Sequence, residues 1–425
     1  MRDKEIKLPR IFILFIIFLL TNLLNATTIY DSVITAIENS HKLKVQDIEI
    51  KIKQEYIKRA KANNMPTVNL TAYHKVEKTE FEELDTRTAN STNYAITLKQ
   101  NIYNGFYDKN SIDIAKKDLE IEIIAFEKLK QEVIYRAILA HIELLTSKNI
   151  LLITQNTTKK YKSLLHIAES KSIYGDKIDQ LEVNLRIEET KMRELTLLQD
   201  YNLKVSNYKK VVGVSPKNLN YNINFKENLV KKVSMLDFNK INKDILKKVL
   251  EIEKSYYQIE QLNSKFLPTV DLEVKAYKAE PLVQTEVTTE NQYSAQIVIN
   301  YNLYNGGRDN IDKEINKLKK LKLITEQYDL IDDISNRYSE NYIKFKYSRK
   351  SKKTIEKYIK QNQKRYHTYK KLFKMSSQKG ILDMITAISI LASSKETKFQ
   401  NLNNIIISYS NILLLQSKLS TRILR

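Results

Sequence analysis

The chain has 425 residues and no cysteine, and only six glycines and five prolines. Without cysteine it has no disulfide framework and no thiol that could carry an N-terminal lipid. Because glycine and proline break helices, the long intervals between them predict long, uninterrupted helices. After residue 26 we find no apolar run of about 18 residues, so we expect no membrane-spanning helix further along the chain.

The usual marks of an enzyme are also missing. We find no glycine-rich phosphate loop, no Walker-type lysine and no metal-binding cluster. The histidines are scattered without ligand spacing: His41, His74, His141, His166 and His367. We therefore expect no catalytic residues, no cofactor and no metal, and a surface hydrolase is the weakest alternative.

Residues 1–26 have the composition of a secretory signal peptide. Basic residues precede an apolar run from Ile11 to Leu20, and Ala26 offers a small residue for cleavage. The alternative is a retained membrane anchor, but the apolar run is short for that role. The sequence therefore predicts export.

The formal net charge of the chain is +21. Its lysines are spread through predicted helices, and even the cluster Arg349–Lys353 is flanked by Glu340 and Glu356. This distribution favours a solvated helix surface over a nucleic-acid site. Export points the same way, so we expect no nucleic-acid partner, and a basic nucleic-acid-binding coiled coil is kept only as an alternative.

Two short motifs occur twice in the chain. Met65-Pro-Thr-Val-Asn-Leu70 and a later Asn101-Ile-Tyr-Asn-Gly105 return as Leu267-Pro-Thr-Val-Asp-Leu272 and Asn302-Leu-Tyr-Asn-Gly306. Pro66 and Pro268 are 202 residues apart, and Gly105 and Gly306 are 201 apart. The spacing indicates a duplicated unit of about 200 residues, with a first repeat at 27–215 and a second at 216–425.

Four segments alternate apolar and polar residues, which predicts strands at about 66–77, 93–104, 268–278 and 293–304. Pro66 and Pro268 open strands, and Gly105, Gly306 and Gly307 mark the strand–helix junctions. About ten residues is the length that a tilted strand needs to cross a bilayer. A half-buried sheet in a soluble protein is the alternative interpretation.

Apolar residues at three-and-four spacing follow each strand pair and predict long helices that pack like coiled coils. We expect a leading helix at 29–63 and helical hairpins at about 108–212 and 308–424, with turns near Gly175 and Gly380. Four strands cannot close a barrel in lipid, but three chains would supply twelve. The predicted fold class is mainly α with membrane β.

The order and spacing of these elements resemble the TolC family of trimeric outer-membrane efflux and secretion channels. The resemblance covers nearly all of the chain after residue 26. Lys379-Gly-Ile-Leu-Asp-Met-Ile-Thr-Ala387 is similar to the family's returning-helix signature, and Val211-Val-Gly213 to the end of its first repeat. Two departures stand out: Ser377 replaces a usual glycine, and Val183 replaces an alanine.

The resemblance implies a homotrimer whose 12-stranded β-barrel lies in the outer membrane and continues as an α-helical coiled-coil barrel in the periplasm. Loops around 78–92 and 279–291 would face outward. Tip turns near 173–180 and 376–383 would meet a periplasmic adaptor protein and an inner-membrane transporter. Selectivity would largely lie with that transporter, so the sequence does not specify the exported molecule.

The resemblance also implies a gated periplasmic tip. Asp383 and Asp179 would line its constriction, close to Gly175 and Gly380, because a carboxylate ring controls cation passage. The alternative is that each aspartate caps a helix N-terminus, and the two roles are compatible.

Two further expectations follow. From Asp271 and Glu273 on a polar strand face, we expect a pore interior less positive than the outer surface of the helices. The principal alternative function is a periplasmic coiled-coil adaptor or scaffold without its own pore. Such a protein would not need four alternating strands in two matched pairs.

Overall fold

The computed structural model of the chain describes residues 27–79, 87–171, 177–221, 230, 241–279, 291–375 and 380–421. The protein is mainly helical with one small sheet, and the order helix, strand, strand, long helix, long helix occurs twice. The elements are α1 (Ile29–Asn39), α2 (His41–Ala62), β1 (Thr67–Thr79), β2 (Arg87–Asn104), α3 (Tyr107–Lys171), α4 (Lys177–Val212), α5 (Lys243–Asn263), β3 (Thr269–Ala279), β4 (Gln292–Asn300), α6 (Arg308–Met375) and α7 (Ile381–Leu415).

The chain forms two compact units, and each draws on both predicted repeats. The sheet unit comprises Val45–Phe126 and Lys243–Leu330. The helical unit comprises the described parts of Met1–Lys44, Glu127–Asn242 and Ile331–Arg425.

The predicted leading helix at 29–63 is two helices, α1 and α2, separated at Ser40. Ser40 has an extended backbone, with ψ at 101°. Its N–H donates to the Ile37 carbonyl, and its Oγ accepts a hydrogen bond of 3.3 Å from the N–H of Leu43. A serine that bonds to backbone on both sides competes with helix continuation, and this explains the break.

The four strands form one antiparallel sheet in the order β1-β2-β3-β4. The register places Leu70 opposite Ile96, Ile96 opposite Ala276, and Ala276 opposite Tyr293. Each neighbouring pair therefore brings apolar positions together on the same face of the sheet.

Two strand boundaries differ from the prediction. β2 begins at Arg87, six residues before the expected start, because it pairs with β1 along this length. β4 ends at Asn300 rather than 304, since it is an edge strand and residues 301–304 have no ladder partner within the described chain. β1 and β3 begin directly after Pro66 and Pro268.

The second hairpin ends before the predicted residue 424, because α7 stops at Leu415. Ser417 adopts a positive φ of 52°, and its N–H donates to the Leu414 carbonyl. The N–H of Lys418 donates to the Leu413 carbonyl at 2.8 Å. This pair of bonds is a Schellman cap, formed here without glycine, and glycine scarcity therefore did not reveal it.

Contrary to expectation, α3 contains one stretch between Tyr107 and Ser170 that is long and apolar enough to cross a membrane by length and composition. Most of that stretch, 61%, is buried within the protein. The core helix of a soluble protein meets the same criterion, so this stretch is read as core.

A hydrophobic cluster of the helical unit joins the end of α3, the start of α4, the end of α6 and the start of α7. Its buried members are Tyr161, Leu164, Ala168, Val183, Ile187, Tyr366, Phe373, Ile381, Met384, Ile385, Ile388 and Leu391. These residues recur at three-and-four spacing on the four helices, and their burial holds the four helix ends together next to the predicted tip turns.

Candidate functional site

The sheet has the opposite polarity to a sheet in a soluble protein. On its apolar face, Leu70 is 72% exposed and Ile297 is 65% exposed. On its polar face, Asn93 and Asp271 are only 4% and 7% exposed. An exposed apolar surface of this kind marks a site for lipid or another chain.

The polar face is tied across the strands by charged and amide groups. Asn101 Nδ2 donates to Asp271 Oδ1 at 2.8 Å, and Gln296 Nε2 donates to Glu273 Oε2 at 3.0 Å. Lys99 Nζ lies 3.6 Å from Asp271 and 3.3 Å from Glu273. This face carries as many lysines as carboxylates: Lys75, Lys99, Lys275, Glu77, Asp271 and Glu273.

The predicted strand–helix junctions lie at left-handed turns. Gly105, Gly306 and Gly307 have φ values of 64°, 60° and 75°, which glycine adopts without steric cost. A Cβ added at Gly105 would meet the Ser264 carbonyl oxygen at 2.9 Å and the Leu267 Cβ at 3.0 Å. No described atom lies within 4 Å of a Cβ added at the other two glycines.

Three of the predicted tip residues line one groove of the helical unit: Asp179 in the first turn of α4, Gly380, and Asp383 in the first turn of α7. The N–H of Gly380 donates to Asp383 Oδ2 at 3.3 Å, so Asp383 does cap its helix. Gly380 has an extended backbone (φ −80°) that any residue can adopt, so its conformation does not require glycine. Gly175 lies outside the described residues.

Sequence reasoning missed two residues of this groove, Arg365 and Tyr369 on α6. The Arg365 guanidinium lies 5.7 Å from the centre of the Tyr369 ring, at cation–π distance. Their i, i+4 spacing on a predicted helix is the signal that could have identified them. The groove therefore places a cation and an aromatic ring beside two carboxylates.

Polar groups deeper in the helical unit tie its helices together. Arg193 Nη2 lies 2.6 Å from Glu396 Oε2, joining α4 to α7. Lys160 Nζ lies 4.7 Å from the centre of the Tyr366 ring. Burial lowers the pKa of Lys160, and the nearby charges of Lys395 and Lys370 lower it further. The surroundings of Lys160 therefore disfavour its charged form, while the Tyr366 ring lies at cation–π distance.

One histidine left unassigned by the sequence, His141, is fully buried in a hydrogen-bond chain. Nε2 lies 2.8 Å from the Asn220 carbonyl oxygen, and Nδ1 lies 2.8 Å from Ser32 Oγ, which also lies 2.8 Å from Tyr208 Oη. A carbonyl only accepts, so Nε2 carries the proton and donates to Asn220. Burial lowers the pKa of His141 to about 4, so the ring is neutral at pH 7 and Nδ1 accepts from Ser32.

Across the described ranges, no group of three or more histidine or acidic residues is placed to hold a metal ion. Three features of the structure bear on function. They are a sheet with an exposed apolar face, two strand exits and a charged groove at a helix-hairpin end.

Comparisons with known proteins agree with this description. Residues 33–193 match the family model of outer membrane efflux proteins. A comparison with curated protein sequences finds no match. Among solved structures, a membrane protein from Pseudomonas aeruginosa is similar with a TM-score of 0.82 at 12% identity, covering 91% of this chain and 93% of that one.

Two further structures show the same fold. The Campylobacter jejuni CmeC outer membrane channel matches with a TM-score of 0.80 at 12% identity, over 92% of this chain and 86% of its own. The open-state Neisseria gonorrhoeae MtrE outer membrane channel matches with a TM-score of 0.79 at 11% identity, over 92% and 90%. The resemblance to the TolC family is thereby confirmed, by the family model over 33–193 and by the fold over most of the chain.

Proposed function

We propose that the chain forms a homotrimeric outer-membrane channel. It conducts substrates passively from a periplasm-spanning pump or secretion complex to the outside, and its periplasmic tip is gated. The observation that carries the proposal is the reversed polarity of the two central strands, where the apolar side chains of Ile96 and Val274 are exposed while Asn93 and Asp271 are buried.

That polarity matches a barrel wall. The face with Leu70, Ile96 and Ile297 would contact lipid, and the face with Lys99, Asp271 and Glu273 would line a water-filled lumen. β1 has 13 residues, which at about 3.4 Å per residue is enough for a tilted strand to cross the hydrocarbon core.

One chain cannot complete such a wall, because the outer edges of β1 and β4 carry unpaired backbone groups that lipid cannot satisfy. The chain contains an internal template for their closure. Where the repeats meet, β2 pairs antiparallel with β3. β4 is the equivalent of β2 in the second repeat, and β1 is the equivalent of β3 in the first. The same antiparallel pairing would therefore join β4 of one copy to β1 of the next, and three copies give twelve strands.

The strand exits support the same closure. Gly105 of the first exit packs against Ser264 and Leu267, just before β3, whereas the space around Gly306 and Gly307 is open. Repetition would place the equivalent turn before β1 of the next copy, at residues 62–65, against this open exit. The exposed Tyr304 would then gain the pairing that its counterpart Tyr103 has with Val270.

The charged groove supports a gate at the periplasmic tip. Asp383 and Asp179 would contribute carboxylates from each copy to a constriction that favours cations. Energy for export would come from an inner-membrane transporter, linked through a periplasmic adaptor protein that meets the tip. A periplasmic adaptor without its own pore is the weaker proposal, because an exposed apolar sheet face has no use in water.

The register of the proposed closure can be tested with cysteines, since the chain has none of its own. Ile96 pairs with Ala276, and the repeat spacings translate this pair to Ile297 of one copy and His74 of the next. An Ile297→Cys/His74→Cys variant is oxidised in outer membranes and separated on a denaturing gel. We expect covalent dimers and trimers.

Two control variants test whether cross-linking depends on the register and on the face of the strand. Ile297→Cys with Val76→Cys shifts the register by two residues, and Ile297→Cys with Tyr73→Cys addresses the opposite face of β1. Both should remain monomeric on the gel. Equal cross-linking of all three variants, or a soluble monomeric wild type, would refute the closed barrel.

The gate is tested by single-channel conductance in planar bilayers. Asp383→Asn keeps an oxygen for the Gly380 N–H but removes the charge, so we expect lower cation selectivity with little loss of trimer stability. The exposed Asp332→Asn substitution on α6 is the control for a general change in charge. Identical selectivity in both variants would place Asp383 outside the conduction path.

A further inference from the structure

The second half of α6 carries most of the net charge of the protein. Residues 342–375 contain thirteen lysines and arginines and one glutamate, a net charge of +12. The whole chain carries +21, so the other 391 residues contribute only +9. The whole segment lies in the helical unit.

The charges are ordered on one face of the helix. Nine basic positions alternate at four-and-three spacing, and all nine side chains are exposed; we call them the basic stripe: Lys346, Lys350, Lys353, Lys357, Lys360, Lys364, His367, Lys371 and Lys374. The buried side chains Phe345, Asn362, Tyr366 and Phe373 lie on the other side of α6. At 1.5 Å per residue the stripe is about 42 Å long.

Several lysines elsewhere in the protein form ion pairs with carboxylates. In the sheet unit, Lys254 lies 2.7 Å from Asp118, Lys117 lies 2.9 Å from Glu253, and Lys248 lies 3.1 Å from Glu326. By contrast, none of the eight lysines of the basic stripe forms an ion pair with a described carboxylate. The ion pair nearest in sequence joins Lys344 to Glu340 at 3.8 Å, and Lys344 is not in the stripe.

Like charges at i, i+4 destabilise a helix, so an unbroken stripe of them carries a cost that the fold itself does not offset. A neighbouring copy would offset it only by presenting carboxylates in the same spacing, because a buried cation needs a partner. An extended polyanion outside the protein would neutralise every position at once. Binding of the polyanion would also release the counterions that the charged stripe holds, which is favourable in entropy.

We propose that the basic stripe is a docking surface for the cell-wall polymer of the periplasm, a glycan whose peptide side chains bear repeated carboxylates. This rests on the proposed function, which places the helical unit in the compartment that holds this polymer. The bound polymer would lie along α6 over about eight helical turns.

The composition of the stripe favours a polymer over a protein. Protein interface cores are depleted in lysine and depend on buried aromatic or arginine anchors, and the stripe contains neither. The lysine ammonium is a point charge on a flexible side chain and, unlike the arginine guanidinium, it does not require a planar, bidentate partner. It therefore suits carboxylates whose spacing varies along an irregular polymer.

The outer surface is favoured over the lumen by the charge of the sheet. Its polar face, which we assign to the lumen, balances three lysines with three carboxylates. The basic stripe contains no carboxylates, so its charge differs from that of the sheet face that we assign to the lumen. Placing it outside also agrees with the expected interior that is less positive than the outer helix surface.

The test is co-sedimentation of the full-length protein in detergent with purified cell-wall sacculi. One variant replaces five stripe residues, Lys350, Lys353, Lys357, Lys360 and Lys364, with glutamine. Its control replaces five exposed lysines of other helices in the same unit, Lys148, Lys159, Lys162, Lys209 and Lys210. Both variants lose five charges, so only the position of the change differs.

We expect the wild type and the control to sediment with sacculi at 50 mM salt and the stripe variant to bind at least tenfold less. Sacculi whose carboxylates have been amidated should release the wild type. Equal binding of both variants would overturn the proposal. So would a stripe variant that binds normally but changes the ion selectivity of the reconstituted channel, which would place the stripe in the lumen.

A protein partner gives a third outcome, in which wild-type membranes retain an acidic protein on the stripe while purified sacculi do not bind, and this too overturns the proposal. The sedimentation assay needs no pore. A wild type that binds sacculi, together with an Ile297→Cys/His74→Cys variant that forms no cross-linked trimer, would therefore contradict the proposed channel and leave the docking surface standing.

Discussion

The first and second strand exits have nearly the same sequence and different surroundings. Both end in Tyr-Asn-Gly, and both turn through glycines with positive φ. The first exit, at Gly105, packs against Ser264, whereas the second, at Gly306 and Gly307, is open. Local sequence thus sets the backbone conformation of the turn, while the surroundings depend on which repeat follows it.

The same contrast appears in the long helices at the 201-residue spacing. Tyr208 and its counterpart Tyr409 are both buried. Tyr208 joins the Ser32–His141 hydrogen-bond chain, whereas Tyr409 lies 5.8 Å from the ring of Phe345. The two tyrosines therefore contact different neighbours, a serine hydroxyl for Tyr208 and an aromatic ring for Tyr409.

The largest effect is expected from Gly105→Ala. The substitution places a side chain in the left-handed region and forces its Cβ to 2.9 Å from the Ser264 carbonyl oxygen. Strain and overpacking together should cost about 3 to 4 kcal/mol. Urea unfolding followed by circular dichroism in detergent measures the loss.

Gly306→Ala is the matched control, with strain but no clash, and should cost about 1 kcal/mol in a detergent-solubilised monomer. Equal losses at the two exits would show that packing at Ser264 contributes nothing. A larger loss for Gly306→Ala in the assembled protein than in the monomer would indicate that another copy covers that exit.

The next effect is a pH dependence that belongs to the first repeat alone. The folded state lowers the pKa of His141 from 6.5 to about 4, so it binds fewer protons than the unfolded chain between these values. The contribution of His141 is therefore complete above pH 6.5 and is lost as the pH falls toward 4. It should amount to roughly 3 kcal/mol.

Unfolding free energies at pH 7, 5.5 and 4 measure this contribution. His141→Gln keeps a donor for the Asn220 carbonyl and an acceptor for Ser32 without titrating, so the slope should flatten. His367→Gln, at an exposed position of α6, is the control and should leave the slope unchanged. A wild type without the slope would mean that His141 is not buried in solution.

Removing the asparagine before each exit should again separate the repeats. Asn104 accepts from the N–H of Asp108 at 3.4 Å and donates to the Asp108 carboxylate, which is buried. Asn305 donates to Asp309 at 3.4 Å, but Lys265 also lies 3.2 Å from that carboxylate.

Asn104→Ala should therefore cost about 1 to 2 kcal/mol, because it takes a donor from a buried charge. Asn305→Ala should cost roughly half of that, since Lys265 remains. Both are read from urea midpoints at constant slope. The reverse order would show that the ion pair at Lys265 contributes less than its geometry indicates.

These contrasts also mark how far the sequence predicts the structure. The doubled motifs and the rarity of glycine and proline indicated the strand pairs, the two hairpins and the junction glycines, because these features depend on local conformation. The break at Ser40 and the cap at Ser417 were not predicted, because each depends on hydrogen bonds that the serine makes with nearby backbone groups. The early end of β4 depends on a missing neighbour strand, which no local pattern encodes.

The candidate site was predicted less completely. Asp179 and Asp383 do share a groove, yet Arg365 and Tyr369 of the same groove were not predicted, because no local pattern shows that this part of α6 packs beside the first turns of α4 and α7. The order of the basic stripe was overlooked for a related reason. Its lysines were judged by local density, whereas what distinguishes them is their heptad spacing and the absence of ion pairs with described carboxylates.

The smallest effect should come from Lys265→Met, which removes a contact found in the second repeat alone. Lys265 Nζ lies 3.0 Å from Asp312 and 3.2 Å from Asp309, and hydrogen bonds to Asp312 and then Asp309 raise its pKa. The raised pKa means that its contribution is complete below pH 10.5 and is lost only as the pH rises beyond that value. Its side chain is 42% exposed, so the loss should stay below about 1 kcal/mol and vanish in 1 M salt. The first-repeat counterpart of Lys265 is the uncharged Asn63. The carbonyl of the next residue, Asn64, accepts from Gln100, and Gln100→Ala is the uncharged control whose effect should not depend on salt. If both variants responded equally to salt, the second exit would not rely on charge, and the two exits would differ in packing alone.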